Sequence, residues 1–112
     1  MARKAPKLTV DYTPEAREDL ADIWDWNAGK HGFAHANAYV ELLQEETDRL
    51  DVDYHLGKLV PSHNDWRYQI IRRNNKGHGH IVIYEVSKDI VRVLRYFHTA
   101  QDWQNKLTIE QD

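Results

Sequence analysis

A chain of 112 residues has room for one hydrophobic core, and 41% hydrophobic against 29% charged residues marks it as globular rather than disordered. With no cysteine, a disulfide framework, a thiolate metal centre and a cysteine nucleophile are all excluded. No apolar run reaches the length of a membrane span or a signal peptide, so a cytoplasmic protein without membrane association is expected.

Net charge is −3, but it is unevenly spread. Thr13 to Asp53 carries eleven acidic and three basic side chains, whereas Tyr54 to Asp112 carries six acidic and nine basic. Such polarity suits solvated helix faces, and it also suits a chain that turns its basic part toward an acidic partner. With a pI of about 6.1, the basic excess is too thin for an ordinary nucleic-acid-binding surface.

Leu8, Val10 and Tyr12 alternate with Thr9 and Asp11, the period of a half-buried strand. Thr13-Pro14-Glu15 then supplies an N-cap, a proline at the first helical position and an acid facing the helix dipole. Ala16, Leu20, Ile23 and Trp24 form one apolar stripe, Trp26 lies off it, and Gly29 and Gly32 are expected to stop the helix. A second amphipathic helix presents Ala36, Tyr39, Val40, Leu43 and Leu50, and the short connection predicts an antiparallel helical hairpin. Tyr54 to Asp65, with Gly57, Pro61, Ser62 and Asn64, reads as a surface loop.

Three strands follow: Trp66 to Arg73, His78 to Val86 and Ile90 to Phe97, the first two joined through Asn74-Asn75-Lys76-Gly77. Connections this short permit only antiparallel neighbours, a meander. In the last strand, simple alternation places Val91, Val93 and Phe97 on one side and Ile90, Leu94 and Tyr96 on the other, so both faces are expected to be largely buried. Thr99 to Leu107 allows a final helical turn, and Thr108 to Asp112 is expected to fray. The fold class is α+β: an N-terminal strand and α-helical hairpin on a small antiparallel sheet with a short helical tail, one domain over 1–112 with its core at about 8–103.

Candidate chemistry is sparse. Arg67, Arg72, Arg73, Arg92 and Arg95 all fall on the strands and offer either a platform for anionic groups or ordinary solvated positions. His78 and His80 share a strand face at metal-ligand spacing, but no third ligand is indicated and flanking glycines suggest a hairpin rim, so no metal is expected. His31, His35, His55 and His63 read as surface residues. His98, at the end of the last strand, has two readings: an acid–base group assisted by nearby arginines, or a structural ring that ends the strand and orients Asp102. Trp24 and Trp103 read as core closure, and Trp26 as an interface residue.

The order of these elements, together with "YTPEAREDLADIWDW", "YQIIRR", "GHIVIYEV" and "VRVLRYFHTAQDW", resembles the ParE/RelE superfamily of bacterial toxin–antitoxin toxins over Leu8 to Trp103. Within it the chain is more similar to the ParE, plasmid-stabilisation branch, whose last strand runs into a histidine and a basic turn. Here that turn is Thr99-Ala100-Gln101-Asp102, with Gln101 in place of the usual arginine. The resemblance implies a type II toxin that forms a hetero-oligomer with a cognate antitoxin and inhibits DNA gyrase, without a cofactor or catalytic residues. Trp26, Arg72, Arg73, Arg92 and Arg95 are the expected antitoxin contacts, and His98, Asp102 and Trp103 the expected target contacts. One alternative is a RelE-like endoribonuclease acting on mRNA in the ribosome, with His98 as acid–base and Arg73 and Arg95 on the phosphate. The other is a degenerate, non-toxic module that keeps only partner binding.

Overall fold

The computed structural model describes residues 6–74 and 77–111, the side chains of 108–111 excepted. The elements run β1 (Thr9–Tyr12), α1 (Pro14–His31), α2 (Phe33–Asp48), α3 (Leu50–Asp53), β2 (Lys58–Val60), β3 (His63–Ile71), β4 (His80–Val86), β5 (Ile90–His98) and α4 (Trp103–Gln111). The fold is α+β, and the five strands form one mixed sheet in the order β1-β5-β4-β3-β2. Strand β1 lies parallel to β5, in register from Thr9 against Ile90 to Tyr12 against Val93, and the remaining pairs are antiparallel. The parallel pair is possible because the helical hairpin acts as a long crossover between its two strands. Among the described residues no helix is long and apolar enough to cross a membrane.

Thr13 fixes the join between sheet and hairpin. Its backbone N–H donates to Val93 O at 3.0 Å, its hydroxyl donates to Leu94 O at 3.0 Å, and the same oxygen accepts Ala16 N–H at 3.1 Å as the N-cap of α1. Gly29 does not stop that helix. It continues to His31 and turns at Gly32, whose φ of 93° lies in the left-handed region that a side chain would disfavour. The tip of the hairpin is clamped by Trp24, which stacks on Phe33 at 5.5 Å and donates to Asn37 Oδ1 at 2.8 Å.

The sheet is buried on both faces, as its apolar strands require. On one face Ala16, Leu20 and Leu43 of the hairpin meet Ile71, Val82, Val93 and Tyr96. On the other, Trp103 and Leu107 of α4 cover Val60, Ile81, Ile83 and Phe97. Fully burying one such side chain contributes about 1.5–3 kcal/mol, so α4 is a structural layer and not an appendage.

Three further expectations are corrected. Tyr54 to Asp65 is not simply a loop: it holds β2 and the start of β3, and Val60 is buried there. The simple alternation in β5 fails because a register shift puts Tyr84 against Val93 but Ile83 against Arg95, leaving Leu94 as an extra residue. Tyr96 therefore packs toward the hairpin with Val93, and Phe97 packs toward α4. The tail is also more helical than expected, because its backbone continues to Gln111; Asp112 and the side chains of 108–111 lie outside the described residues, as do Asn75 and Lys76 of the expected turn.

Candidate functional site

At the end of the sheet where β3 leaves, β4 begins and β5 ends, the register sets His80 between Ile71 and His98. Opposite stand the second half of α1 and the first half of α2. Between them opens a cleft of about 310 Å³, lined by Asp22, Ile23, Trp26 and Asn27 from α1, His35 and Tyr39 from α2, and Arg73, His78, Gly79, His80 and His98 from the sheet end. Gly79 is required where it stands, since a Cβ there would fall on the carbonyl oxygen of Ile71. Its backbone is held by Thr99, whose hydroxyl accepts Gly79 N–H at 3.1 Å and whose N–H donates to Gly79 O at 3.0 Å. A second cleft adjoins the first, sharing Asp22, Ile23, Trp26, His80 and His98 and extending to Asp19, Arg95, Gln101 and Lys106.

Each imidazole on the cleft wall is anchored through Nδ1. Arg73 donates to His35 Nδ1 at 3.1 Å, Ala100 N–H donates to His98 Nδ1 at 3.1 Å, Tyr39 Oη lies 2.6 Å from His80 Nδ1, and Thr99 Oγ1 lies 3.3 Å from His78 Nδ1. Two tautomers follow directly. A guanidinium and a backbone N–H can only donate, so Nδ1 of His35 and of His98 is the acceptor and each neutral ring carries its proton on Nε2. The rings also crowd one another, with His98 at 5.3 Å from His78 and 5.2 Å from His80 between centroids.

Burial and neighbouring groups favour the neutral form of three of these rings, His80, His98 and His35. Burial, and then the neighbouring His98, lowers the His80 pKa to about 4. Burial and then His78 lower that of His98, and desolvation, followed by His31 and Arg73, lowers that of His35. Burial raises the Tyr39 hydroxyl above its ordinary value, so it stays protonated beside His80. His35, His80 and His98 are thus biased toward their uncharged forms beside the Arg73 guanidinium and the Asp22 side chain. Among the described residues no group of three or more histidines or carboxylates is placed to hold a metal ion.

The sequence matches the family described as ParE toxin of type II toxin-antitoxin system, parDE, over residues 10–103, from the first strand through the tail. The chain belongs to the ParE toxin family. Its fold is similar to that of a solved chain of the chromosomal ParDE TA system from P. aeruginosa, with a TM-score of 0.69 at 19% sequence identity, covering 80% of this chain and 94% of the other. No curated protein sequence matches significantly.

In this ParE-family toxin the residues singled out from sequence separate into two groups. Trp26, Arg73 and His98 line the first cleft and Arg95 the second, so these four are brought together. Trp26 is 60% exposed, open for contact at the shared wall. Arg72 instead donates to Gly77 O at 2.9 Å outside the cleft, and Arg92 pairs with Glu85 at 3.4 Å near the opposite end of β4, roughly 20 Å away at strand rise. The arginines therefore do not form a single platform. Arg95 is engaged by Asp19 through Nε at 2.7 Å and Nη2 at 3.1 Å, and Asp19 also accepts Tyr96 N–H at 2.9 Å.

His98 builds its own turn: its N–H donates to Gln101 Oε1 at 2.8 Å, and its carbonyl accepts Gln101 N–H at 2.9 Å. Asp102 opens α4 by accepting from Asn105 Nδ2 and, through its carbonyl, from Lys106 N–H, while Trp103 is buried against Tyr68. Sequence reasoning missed His35, Tyr39 and His80 as cleft residues. His35 was expected at the surface and His80 at a hairpin rim. No local signal in the sequence links the start of α2 to the start of β4, because only the tertiary register joins them.

Proposed function

We propose that this chain is the toxin of a type II pair, held inactive in the cytoplasm by a cognate antitoxin and, when released, inhibiting DNA gyrase. Membership of the ParE family carries this reading. The paired clefts supply a suitable antitoxin groove: an exposed indole at the shared wall, with Arg73 toward one end and Arg95 and Lys106 toward the other. An antitoxin segment with an apolar anchor on Trp26 and acidic side chains beside Arg73 fits that layout. Arg72 and Arg92, which lie off the groove, are expected to contribute less. His98 and Asp102 are the residues of the strand-end turn proposed to face the target.

The endoribonuclease alternative needs His98 to accept a proton. Its Nδ1 is already occupied by Ala100 N–H and its Nε2 already carries a proton, so the ring is set as a donor. Arg95 is drawn to Asp19, away from service as a phosphate ligand. Both points favour an inhibitor over a nuclease.

The test is a supercoiling assay with purified gyrase, relaxed plasmid and this chain. Loss of supercoiling, restored by prior addition of the cognate antitoxin, is expected; supercoiling that proceeds undisturbed contradicts the proposal. In parallel, Trp26→Ala is expected to weaken antitoxin binding by about 2 kcal/mol, roughly thirtyfold, in a calorimetric titration.

A further inference from the structure

The histidine cleft, half of the groove proposed for the antitoxin, also has the features of a built site for a small ligand. All four imidazoles on its wall are tethered through Nδ1, which turns the Nε2 atoms into the groups left for a ligand. For His35 and His98 the direction of the tether fixes the proton on Nε2, so these two atoms are hydrogen-bond donors and cannot ligate a metal without giving up that proton. Arg73 adds a guanidinium on the same wall, with its Nη1 spent on His35 and the rest of its fork remaining to donate. The donors around Arg73 suit an acceptor-rich anion, with Asp22 the one carboxylate elsewhere on the wall.

We propose that the cleft binds a phosphate monoester, carried on a nucleotide. A carboxylate offers two oxygens, whereas a phosphate offers three terminal oxygens and matches a larger set of donors. At about 310 Å³ the space falls at the lower end of small-molecule sites and leaves room for more than an inorganic ion. Trp26, exposed at the rim, offers a stacking surface for a base. Asp22, the one carboxylate on this wall, is an acceptor for the hydroxyls of a sugar. The cleft shares Trp26 and Arg73 with the groove proposed for the antitoxin and His98 with the turn proposed to face the target, but the test uses the chain alone, so its failure is distinguishable from failure of the gyrase reading.

The imidazole Hε1 resonances of the purified chain, followed at pH 7 by proton–carbon correlation, provide the test. Inorganic phosphate, adenosine 5′-monophosphate, adenosine and hexaglutamate are titrated separately. Saturable shifts at His35 and His98 are expected with phosphate and with the monophosphate. The monophosphate should bind about tenfold or more tightly, an advantage lost in Trp26→Ala. Arg73→Ala, an exposed position whose loss leaves the core intact, should weaken both by about tenfold. Shifts absent with either phosphate probe, or unchanged by Arg73→Ala, would overturn the proposal. So would a response to hexaglutamate alone, which assigns the donors to carboxylates, and equal affinity for phosphate and monophosphate would overturn the nucleotide.

Discussion

Asp19 does three jobs with one carboxylate: it binds Arg95 twice and accepts the N–H of Tyr96. The last of these lies on the part of β5 that runs past β1, so a helix side chain serves where a strand partner ends. Asp19→Ala is expected to cost about 2–3 kcal/mol in urea denaturation, since it strands a partly buried guanidinium and a backbone donor, whereas a change below ~0.5 kcal/mol would mean that water replaces the carboxylate freely. His80 gives a second prediction. Its folded pKa of about 4 lies below the ordinary 6.5, so between those values the unfolded chain takes up a proton that the folded chain refuses. Stability is therefore full above pH 6.5 and falls on acidification, by about 2 kcal/mol between pH 7 and 5, with the lowered values of His35 and His98 acting in the same direction. His80→Gln should flatten that dependence; an unchanged slope would place its origin elsewhere. From sequence, His98 was legible as the strand-ending residue, and Trp26 as exposed. The bond of the His98 ring to the backbone of the following turn was legible too, because Ala100 is a near neighbour in the chain, whereas its contact with His80 was not, because it arises only through strand register.

The elements show which local signals survive tertiary contact. Thr13-Pro14 specified its helix start because capping and proline geometry are settled within one turn. Gly29 did not specify a stop, because a mid-helix glycine costs only about 1 kcal/mol and the hairpin packing outweighs it. Strand β2 was illegible for a related reason: three residues paired irregularly to β3 leave no period to read. The shift around Leu94 was illegible because a bulge is set by the partner strand, and it moved Tyr96 and Phe97 to opposite faces from those expected. Two substitutions test this level. Trp103→Ala should remove the main cover of the second face and destabilise the chain by about 3–5 kcal/mol in thermal or urea unfolding, since Trp103 packs on Tyr68 at 4.8 Å within a buried cluster. A loss near zero would mean that α4 is not a structural layer. Gly79→Ala places a methyl against the Ile71 carbonyl and should shift the start of β4, seen as displaced backbone amide resonances for Ile71, His80 and Thr99.

For the whole molecule, the charge asymmetry read from sequence becomes a spatial one: acidic helices lie over a sheet whose arginines are spread from one end to the other. The groove forms where the two meet, toward the turn end of the hairpin, and it gathers Trp26, Arg73, Arg95 and His98 from α1, the end of β3 and β5. A ParE-family toxin built this way is expected to act by holding a protein partner and not by turning over a substrate. Rates of DNA and protein synthesis, measured by pulse labelling in the minutes after this chain is induced alone in a bacterium, test that claim most directly. The account predicts that DNA synthesis fails first while translation continues; an early collapse of protein synthesis with DNA synthesis intact would contradict it and return His98 to the acid–base role of a ribonuclease.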